Sequence, residues 1–360
     1  MRRAQVIAYV TLVGCAFWAG AAYASALGAV EAYPPFGLAE GSGMAASVLH
    51  DGVVWVVEDG VSDQSLPPVV HGYDPSGAEV GTVTLAGWNN RDVEAMSIGP
   101  GPTVWVADIG DNNAGRESVV VHTFVEPDPL GEITLEPVSY RLRYPDGAHD
   151  AETIIVDPVE GRVYIATKSP FGDGALYIAP PDLVAGGTHD LTLVTSVPSW
   201  ITDGSFTPDG TQLLLLRALP RVSTDALVHD VSRPGGGAPL GLTQVAEIPL
   251  PTQEQSEMLT VTMDGESLLV GSEGRDEPVW SVPLSAATAA TTAAPDPESP
   301  DPVDEPVATT IAVDTSADCR LSDPMSCLDE PTGWLTALAV VLVALMITMV
   351  VMLRRTRRSP

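Results

Sequence analysis

Short apolar segments alternate with turn-forming clusters between residues 25 and 284. The segments are rich in Val, Ile, Leu, Tyr and Trp, and clusters of Gly, Pro and Asp separate them. No part of this region shows the 3.6-residue apolar period of an amphipathic helix. Short runs of this composition are typical of β-strands joined by tight turns. The pattern therefore predicts an all-β domain over residues 25–284.

One unit recurs five times in this domain: a short strand, a turn and a second, more apolar strand. The centres of the second strands recur every 50 to 60 residues, at Trp55, Trp105, Tyr164, Leu214 and Leu269. An outer strand pair also lies between units, as in 119–124 with 139–143. Four antiparallel strands at this spacing are typical of a β-propeller blade. We predict five blades; six or seven would require degenerate units.

The fifth unit has only three strands before residue 284. We expect residues 29–38 to supply its fourth strand, because closing the ring removes an open sheet edge. A β-sandwich whose strands are evenly spaced by coincidence is the alternative fold.

Both ends of the chain have the pattern of membrane segments. Residues 1–24 combine a basic start with an apolar run that ends in Ala-Tyr-Ala, which predicts a secretory signal peptide. An uncleaved anchor and a lipoprotein lipidated at Cys15 are the alternatives. Residues 332–353 predict a transmembrane helix, and the basic tail 354–360 predicts a cytoplasmic C-terminus.

Residues 285–331 are rich in Ala, Thr, Pro and acidic residues and predict an extended stalk. Cys319 and Cys327 lie in it, and an extracytoplasmic location permits a disulfide within the chain or between chains. Pro331-Thr332-Gly333 before the apolar span leaves sortase-type wall attachment as an alternative. We expect a single-pass protein of the cell membrane with its propeller outside.

Charge limits the partners of the domain. The chain has 47 acidic and 17 basic residues, a net charge of −30, and six of the basic residues lie at the two termini. Nucleic acids and anionic lipid surfaces attract basic proteins, so neither is an expected partner of the domain.

Four of the five units place a carboxylate where the first strand begins. These residues are Glu94, Glu152, Asp203 and Glu257, whereas the first unit has Met44. First strands line the channel of a propeller, so these carboxylates should meet at one mouth. There they must be protonated, hydrated or bridged by a cation, and oxygen ligands favour Ca²⁺ or Mg²⁺. Capping of backbone amides is the alternative role.

Further polar residues lie near this predicted ring. Asp92 and Asp150 precede two of the carboxylates by two residues. Asp108 and Asp111 end a second strand and offer either metal ligands or turn-forming contacts. Lys168, the sole lysine of the chain, offers either an anion-binding group or a counter-charge for the ring.

Three segments carry a family resemblance: Asn90–Glu94 (NRDVE), Asp108–Asn112 (DIGDN) and Asp150–Glu152 (DAE). They resemble a group of secreted or membrane-anchored β-propeller proteins common in actinobacteria, in which Trp stands where this chain has Val93. The group has no established activity, so the resemblance implies fold and location only. It is distantly similar to SdiA-regulated proteins and to esterase-like and phytase-like propellers, a likeness of fold that does not carry function.

We therefore expect a monomeric cell-surface binding or scaffold module with an extracellular ligand or protein partner and Ca²⁺ at its channel mouth. One alternative is a metal-dependent hydrolase of phosphoesters, esters or lactones, with His149 or Asp150 as general base. Another is a glycan or cell-wall binder that uses Trp88. The chain has no G-x-S-x-G motif to support a serine nucleophile.

Overall fold

The computed structural model describes residues 29–59, 65–235 and 238–285. Within these ranges the chain forms 22 β-strands. The strands are β1 (Val30–Tyr33), β2 (Gly41–Ala46), β3 (Val54–Glu58), β4 (Val69–Tyr73), β5 (Glu79–Leu85), β6 (Val93–Ile98), β7 (Thr103–Asp108), β8 (Val119–Val125), β9 (Glu132–Leu135), β10 (Val138–Arg143), β11 (Ala151–Val156), β12 (Val163–Thr167), β13 (Gly174–Ile178), β14 (Thr188–Asp190), β15 (Thr192–Val197), β16 (Ile201–Phe206), β17 (Gln212–Leu219), β18 (Ser223–Ser232), β19 (Gly241–Pro249), β20 (Ser256–Val261), β21 (Ser267–Ser272) and β22 (Val279–Pro283).

The strands form five sheets, each built on four antiparallel strands, so the predicted five-bladed β-propeller is confirmed. Blade 1 contains β2 to β5, blade 2 contains β6, β7, β8 and β10, and blade 3 contains β11, β12, β13 and β15. Blade 4 contains β16 to β19, and blade 5 contains β20, β21, β22 and β1. The innermost strands β2, β6, β11, β16 and β20 surround the central channel, each next to its neighbour in the ring.

The N-terminal strand closes the ring, as predicted. β1 pairs antiparallel with β22, with Val30 opposite Ser281 and Glu31 opposite Trp280. The last blade therefore combines strands from both ends of the domain. β1 covers the edge of β22, which would otherwise be left unpaired.

Two short strands extend blades 1 and 2, and the sequence did not indicate them. β9 pairs parallel with β5, and β14 pairs parallel with β10. Each arises from the connection between the two outer strands of the following blade. Both strands cover a sheet edge that would otherwise be exposed, which reduces the tendency of that edge to pair with another chain.

Apolar side chains fill each interface between neighbouring blades. Trp55 on β3 is fully buried and packs between blades 1 and 2 with Met96 and Val106. Gly72 on β4 makes room for it, because a Cβ at Gly72 would lie 2.9 Å from Cζ3 of Trp55. The Trp55 Nε1–H donates to Glu126 Oε1 at 2.8 Å, which satisfies its polar group inside the core.

The predicted terminal segments lie outside the described residues. These are the signal peptide with Cys15, the stalk beyond residue 285 with Cys319 and Cys327, the span 332–353 and the basic tail. Within the described ranges, the structure has no apolar helix of membrane-spanning length.

Candidate functional site

Each innermost strand has a β-bulge near its start, at the same place in every blade. The pairing register between the first and second strands shifts across one residue in each case. The bulge residues are Ser42, Glu94, Glu152, Thr202 and Glu257. All five are buried. A bulge re-aims its side chain, and five equivalent bulges create a ring of side chains at one mouth of the channel. We call this end the acidic mouth.

This register corrects the alignment of two sequence units. Trp55 pairs with Ala45 and Leu214 pairs with Ser205, so the second-strand centres are equivalent as predicted. The bulge positions of blades 1 and 4 are nevertheless Ser42 and Thr202, and not Met44 and Asp203. Three glutamates and two hydroxyl residues therefore form the ring.

Two further sets of residues surround the bulges. The residues two positions earlier are Glu40, Asp92, Asp150, Trp200 and Gln255. Each of their carbonyl groups accepts a hydrogen bond from an amide at the end of the second strand or just beyond it. The amide donors are Asp59, Gly110, Lys168, Ala218 and Glu273. At the position of the amide donor, blades 1, 3 and 5 thus have a charged side chain, whereas blades 2 and 4 have Gly110 and Ala218.

Asp59, Asp92 and Glu94 converge between blades 1 and 2. One carboxylate oxygen from each lies within 4.8 Å of the others. We call these three residues the first cluster. The sequence prediction included Asp92 and Glu94 but missed Asp59, which comes directly after β3. Asp59 occupies the same place after β3 as Lys168 does after β12, and this equivalence could have identified Asp59 from the sequence.

Burial and negative charge dominate the first cluster. Burial, followed by the charges of Glu152, Asp59, Glu257 and Asp92, raises the pKa of Glu94 to about 11. Burial also raises the pKa of Asp92, although Arg116 partly opposes this. Such shifts show how unfavourable several ionised carboxylates are at this place without a positive charge among them.

Gly110 leaves the space that two of these carboxylates occupy. A Cβ at Gly110 would lie 2.6 Å from Cγ of Asp92 and 2.8 Å from Cγ of Glu94. The glycine of the DIGDN segment is therefore required for the close approach of the first cluster to the backbone.

The opposite side of the ring contains Glu152, Glu257 and Glu273, which we call the second cluster, and Lys168 contacts the first two. The Lys168 ammonium donates to Glu152 Oε1 and, at 3.4 Å, to Glu257 Oε1. Burial would lower the pKa of Lys168, but the charges of Glu152 and Glu257 raise it above its usual range. Burial and the charge of Glu257 raise the pKa of Glu152 to about 8, although Lys168 opposes them. Burial and a hydrogen bond with Glu257 raise the pKa of Glu273 to about 9.

Asp203 lies beside the ring and caps backbone amides. Its Oδ2 accepts a hydrogen bond from the amide of Leu259 at 2.6 Å, and its Oδ1 accepts one from the amide of Gly204 at 2.7 Å. Burial nevertheless raises its pKa well above the usual range. The contact joins blade 4 to blade 5, which is the structural role that the sequence left open.

The carboxylates of the DIGDN segment hold a buried arginine. Asp108 Oδ1 lies 2.6 Å from Arg116 Nη1, and Asp111 accepts hydrogen bonds from the amides of Gly115 and Arg116. Asp150 Oδ1 accepts from the amide of Asp111 at 2.8 Å and so connects blades 2 and 3. These contacts are those of an ordered turn.

The side chains named for the two alternative functions, His149 and Trp88, contact other residues of the protein. His149 Nε2 lies 3.0 Å from Asp146 Oδ1 and 3.1 Å from the Tyr177 hydroxyl, in a cleft next to Lys168. Trp88 packs against the ring of His122 at 4.7 Å, and the guanidinium of Arg141 lies 5.7 Å from its ring centroid.

Comparisons with known proteins give distant structural likenesses only. No protein-family model and no curated protein sequence matches the chain. A gluconolactonase of Xanthomonas campestris is similar, with 15% identity, a TM-score of 0.39, and coverage of 68% of this chain and 72% of that one. A glucose dehydrogenase has 10% identity and a TM-score of 0.42, covering 71% of this chain and 99% of its own. The PQQ domain of pyranose dehydrogenase from Coprinopsis cinerea has 12% identity and a TM-score of 0.42, with 71% and 95% covered.

These values carry no argument about activity, and the assignment of the fold rests on the strands themselves. The resemblance to the actinobacterial group remains a prediction from the sequence motifs.

Proposed function

We propose that this protein is a cell-surface binding module whose acidic mouth holds one divalent cation, Ca²⁺, in the first cluster. The convergence of Asp59, Asp92 and Glu94 carries the proposal, because three carboxylate oxygens lie within 4.8 Å of one another. Carboxylates without sulfur or imidazole are ligands for hard cations, and Ca²⁺ tolerates their irregular arrangement better than Mg²⁺ does.

A buried, unpartnered oxygen supports the presence of a cation. Glu152 Oε2 has no hydrogen-bond partner among the described residues, although the side chain is only 6% exposed. A buried carboxylate oxygen without a donor is unfavourable, and a cation at the ring would compensate for it. The charge of Glu152 also acts on Glu94 of the first cluster and contributes to its raised pKa.

The same ion explains how the mouth would bind a ligand. Ca²⁺ takes about six to eight oxygen ligands, and the first cluster supplies three carboxylates. Water or the oxygen atoms of an external ligand would fill the remaining positions. The function that follows is cation-dependent recognition of an oxygen-rich ligand outside the cell, and the extracytoplasmic location rests on the predicted signal peptide and membrane span. Hydrolysis remains the alternative, and the contacts of His149 do not favour it over binding.

Calorimetric titration of the chelator-treated, full-length protein in detergent tests this function. We expect binding of one Ca²⁺ per chain and a loss of at least about 100-fold in affinity for Glu94→Gln, which removes a buried ligand charge. Met96→Leu is the matched control, because Met96 lies two residues further along β6, is equally buried and lines the opposite end of the channel. Its affinity for Ca²⁺ should equal that of the wild type.

The absence of heat at millimolar Ca²⁺, together with a melting temperature that chelator does not change, would refute the proposed function. Equal affinity in the wild type and Glu94→Gln would place the ion elsewhere.

A further inference from the structure

Lys168 occupies a position that other blades give to a carboxylate. Its backbone amide bonds to the residue two before the bulge, as do the amides of Asp59 in blade 1 and Glu273 in blade 5. The ring thus has charged groups at three equivalent places, one positive and two negative. The positive group is the only lysine of the chain.

The ammonium of Lys168 lies where a cation would contact the second cluster. It contacts Glu152 and Glu257, which come from two different blades. The side chains of Lys168, Glu152 and Glu257 are 18%, 6% and 4% exposed. Solvent therefore screens this attraction only weakly. A metal ion held by carboxylates of blades 3 and 5 would make the same kind of bridge.

We propose that Lys168 fills a second cation position of the acidic mouth with its own ammonium, and thereby limits the mouth to one divalent ion in the first cluster. This inference rests on the proposed function, since the first cluster must take the ion that Lys168 excludes from the second. Lys168 is then a specificity-determining residue, which sets both the number and the place of bound ions.

Removal of the ammonium should create a second ion site. In Lys168→Met a thioether chain of similar length replaces the charged one, and Glu152 and Glu257 lose their counter-charge. The three carboxyl groups of the second cluster offer the same ligand type as the first cluster. A cavity of about 90 Å³ next to Lys168, bordered by Trp200, Thr202 and Glu257, gives room for an ion with a coordinated water.

The experiment counts Ca²⁺ per chain in the full-length protein by calorimetry and by equilibrium dialysis with elemental analysis. We expect one ion for the wild type, two for Lys168→Met, and one again for Lys168→Met combined with Glu152→Gln. Lys168→Arg keeps a positive charge and should bind one ion. Chelator should lower the melting temperature of Lys168→Met more than that of the wild type, because its second cluster depends entirely on the added cation.

A single ion in Lys168→Met would overturn the inference and leave the proposed function intact. Failure of the wild type to bind any ion would instead refute the proposed function. A Lys168→Met protein that stays unfolded at millimolar Ca²⁺ also overturns the inference, because a second ion is expected to replace the lost charge.

Discussion

The two mouths of the channel are formed by opposite ends of the same five strands, yet their chemistry differs. At the acidic mouth, where the innermost strands begin, buried carboxylates of three blades face one another. At the far mouth, where these strands end, Met44, Met96, Phe206 and Val261 border a cavity of about 220 Å³. Polar groups there are hydroxyls, such as those of Ser97 and Ser205.

The bulges explain this difference. Each innermost strand is irregular only near its start, where the register shifts across Ser42, Glu94, Glu152, Thr202 or Glu257. Beyond that point the ladder is regular, and the side chains belong to the cores between blades. A bulge gives its residue an orientation outside the regular alternation, so a charged side chain can be placed there without removing a core position. The acidic mouth can therefore hold charged side chains, while the side chains at the far mouth mainly complete the packing of the blades.

Substitution of Gly43 should disturb both mouths of the channel. Gly43 lies on β2 between Ser42 of the acidic mouth and Met44 of the far mouth. A Cβ at this position would lie 2.6 Å from the backbone nitrogen of Met96, and a backbone atom within a strand cannot move aside. We expect Gly43→Ala to lower the free energy of unfolding by about 3 kcal/mol, the upper range for overpacking.

Chemical denaturation of the full-length protein in chelator measures this loss. Gly115→Ala is the control, because a Cβ at Gly115 meets no atom within 4 Å and its backbone is not left-handed. Similar stabilities for the two variants would show that β2 and β6 do not approach as closely as described.

The sequence predicted the blades because their repeat depends on local pattern. Apolar second strands centred on Trp55, Trp105 and Tyr164 recur at a blade spacing, and the structure pairs them at equivalent places. The closing strand was also predictable, since a propeller needs a fourth strand in its last blade. β9 and β14 were missed because short polar strands at a sheet edge depend on the neighbouring blade rather than on their own sequence.

The acidic mouth was predicted only in part, for a different reason. Glu94, Glu152 and Glu257 were identified correctly as equivalent positions. In blade 4 the repeat predicts Asp203, whereas the bulge residue is Thr202, which has the same separation from its second-strand centre as the bulge residues of blades 3 and 5. The capping role of Asp203 and the place of Asp59 depend on contacts between blades, which a repeat within one blade does not reveal.

Gly110→Ala should affect the acidic mouth and leave the far mouth unchanged. The added methyl group would collide with the side chains of Asp92 and Glu94. The backbone of Gly110 is not left-handed, so alanine adds no backbone strain there. We expect Ca²⁺ affinity to fall about 30-fold, which corresponds to about 2 kcal/mol. Calorimetry of the variant beside Gly115→Ala, which should bind like the wild type, measures the effect. Unchanged affinity would mean that these two carboxylates do not hold the ion.

The smallest expected effect, taken per pH unit, is a pH dependence that belongs to the acidic mouth. Without a cation, burial and the neighbouring carboxylates raise the pKa of Glu94 from 4.5 to about 11. Between these values the folded chain retains a proton that the unfolded chain has lost, so the stability that Glu94 contributes is complete below pH 4.5 and decreases as pH rises. The slope for this one group is at most about 1.4 kcal/mol per pH unit.

Denaturation in chelator at pH 6, 7 and 8 should therefore show a steeper loss of stability for the wild type than for Glu94→Gln. Met96→Leu should keep the wild-type slope, since it changes a side chain that borders the far mouth and carries no proton. Saturating Ca²⁺ should flatten the wild-type slope, because a bound cation replaces the proton as the partner of the carboxylate. Equal slopes for the wild type and Glu94→Gln in chelator would show that Glu94 is ionised in the cation-free protein, and that its charge is compensated by a group other than a metal.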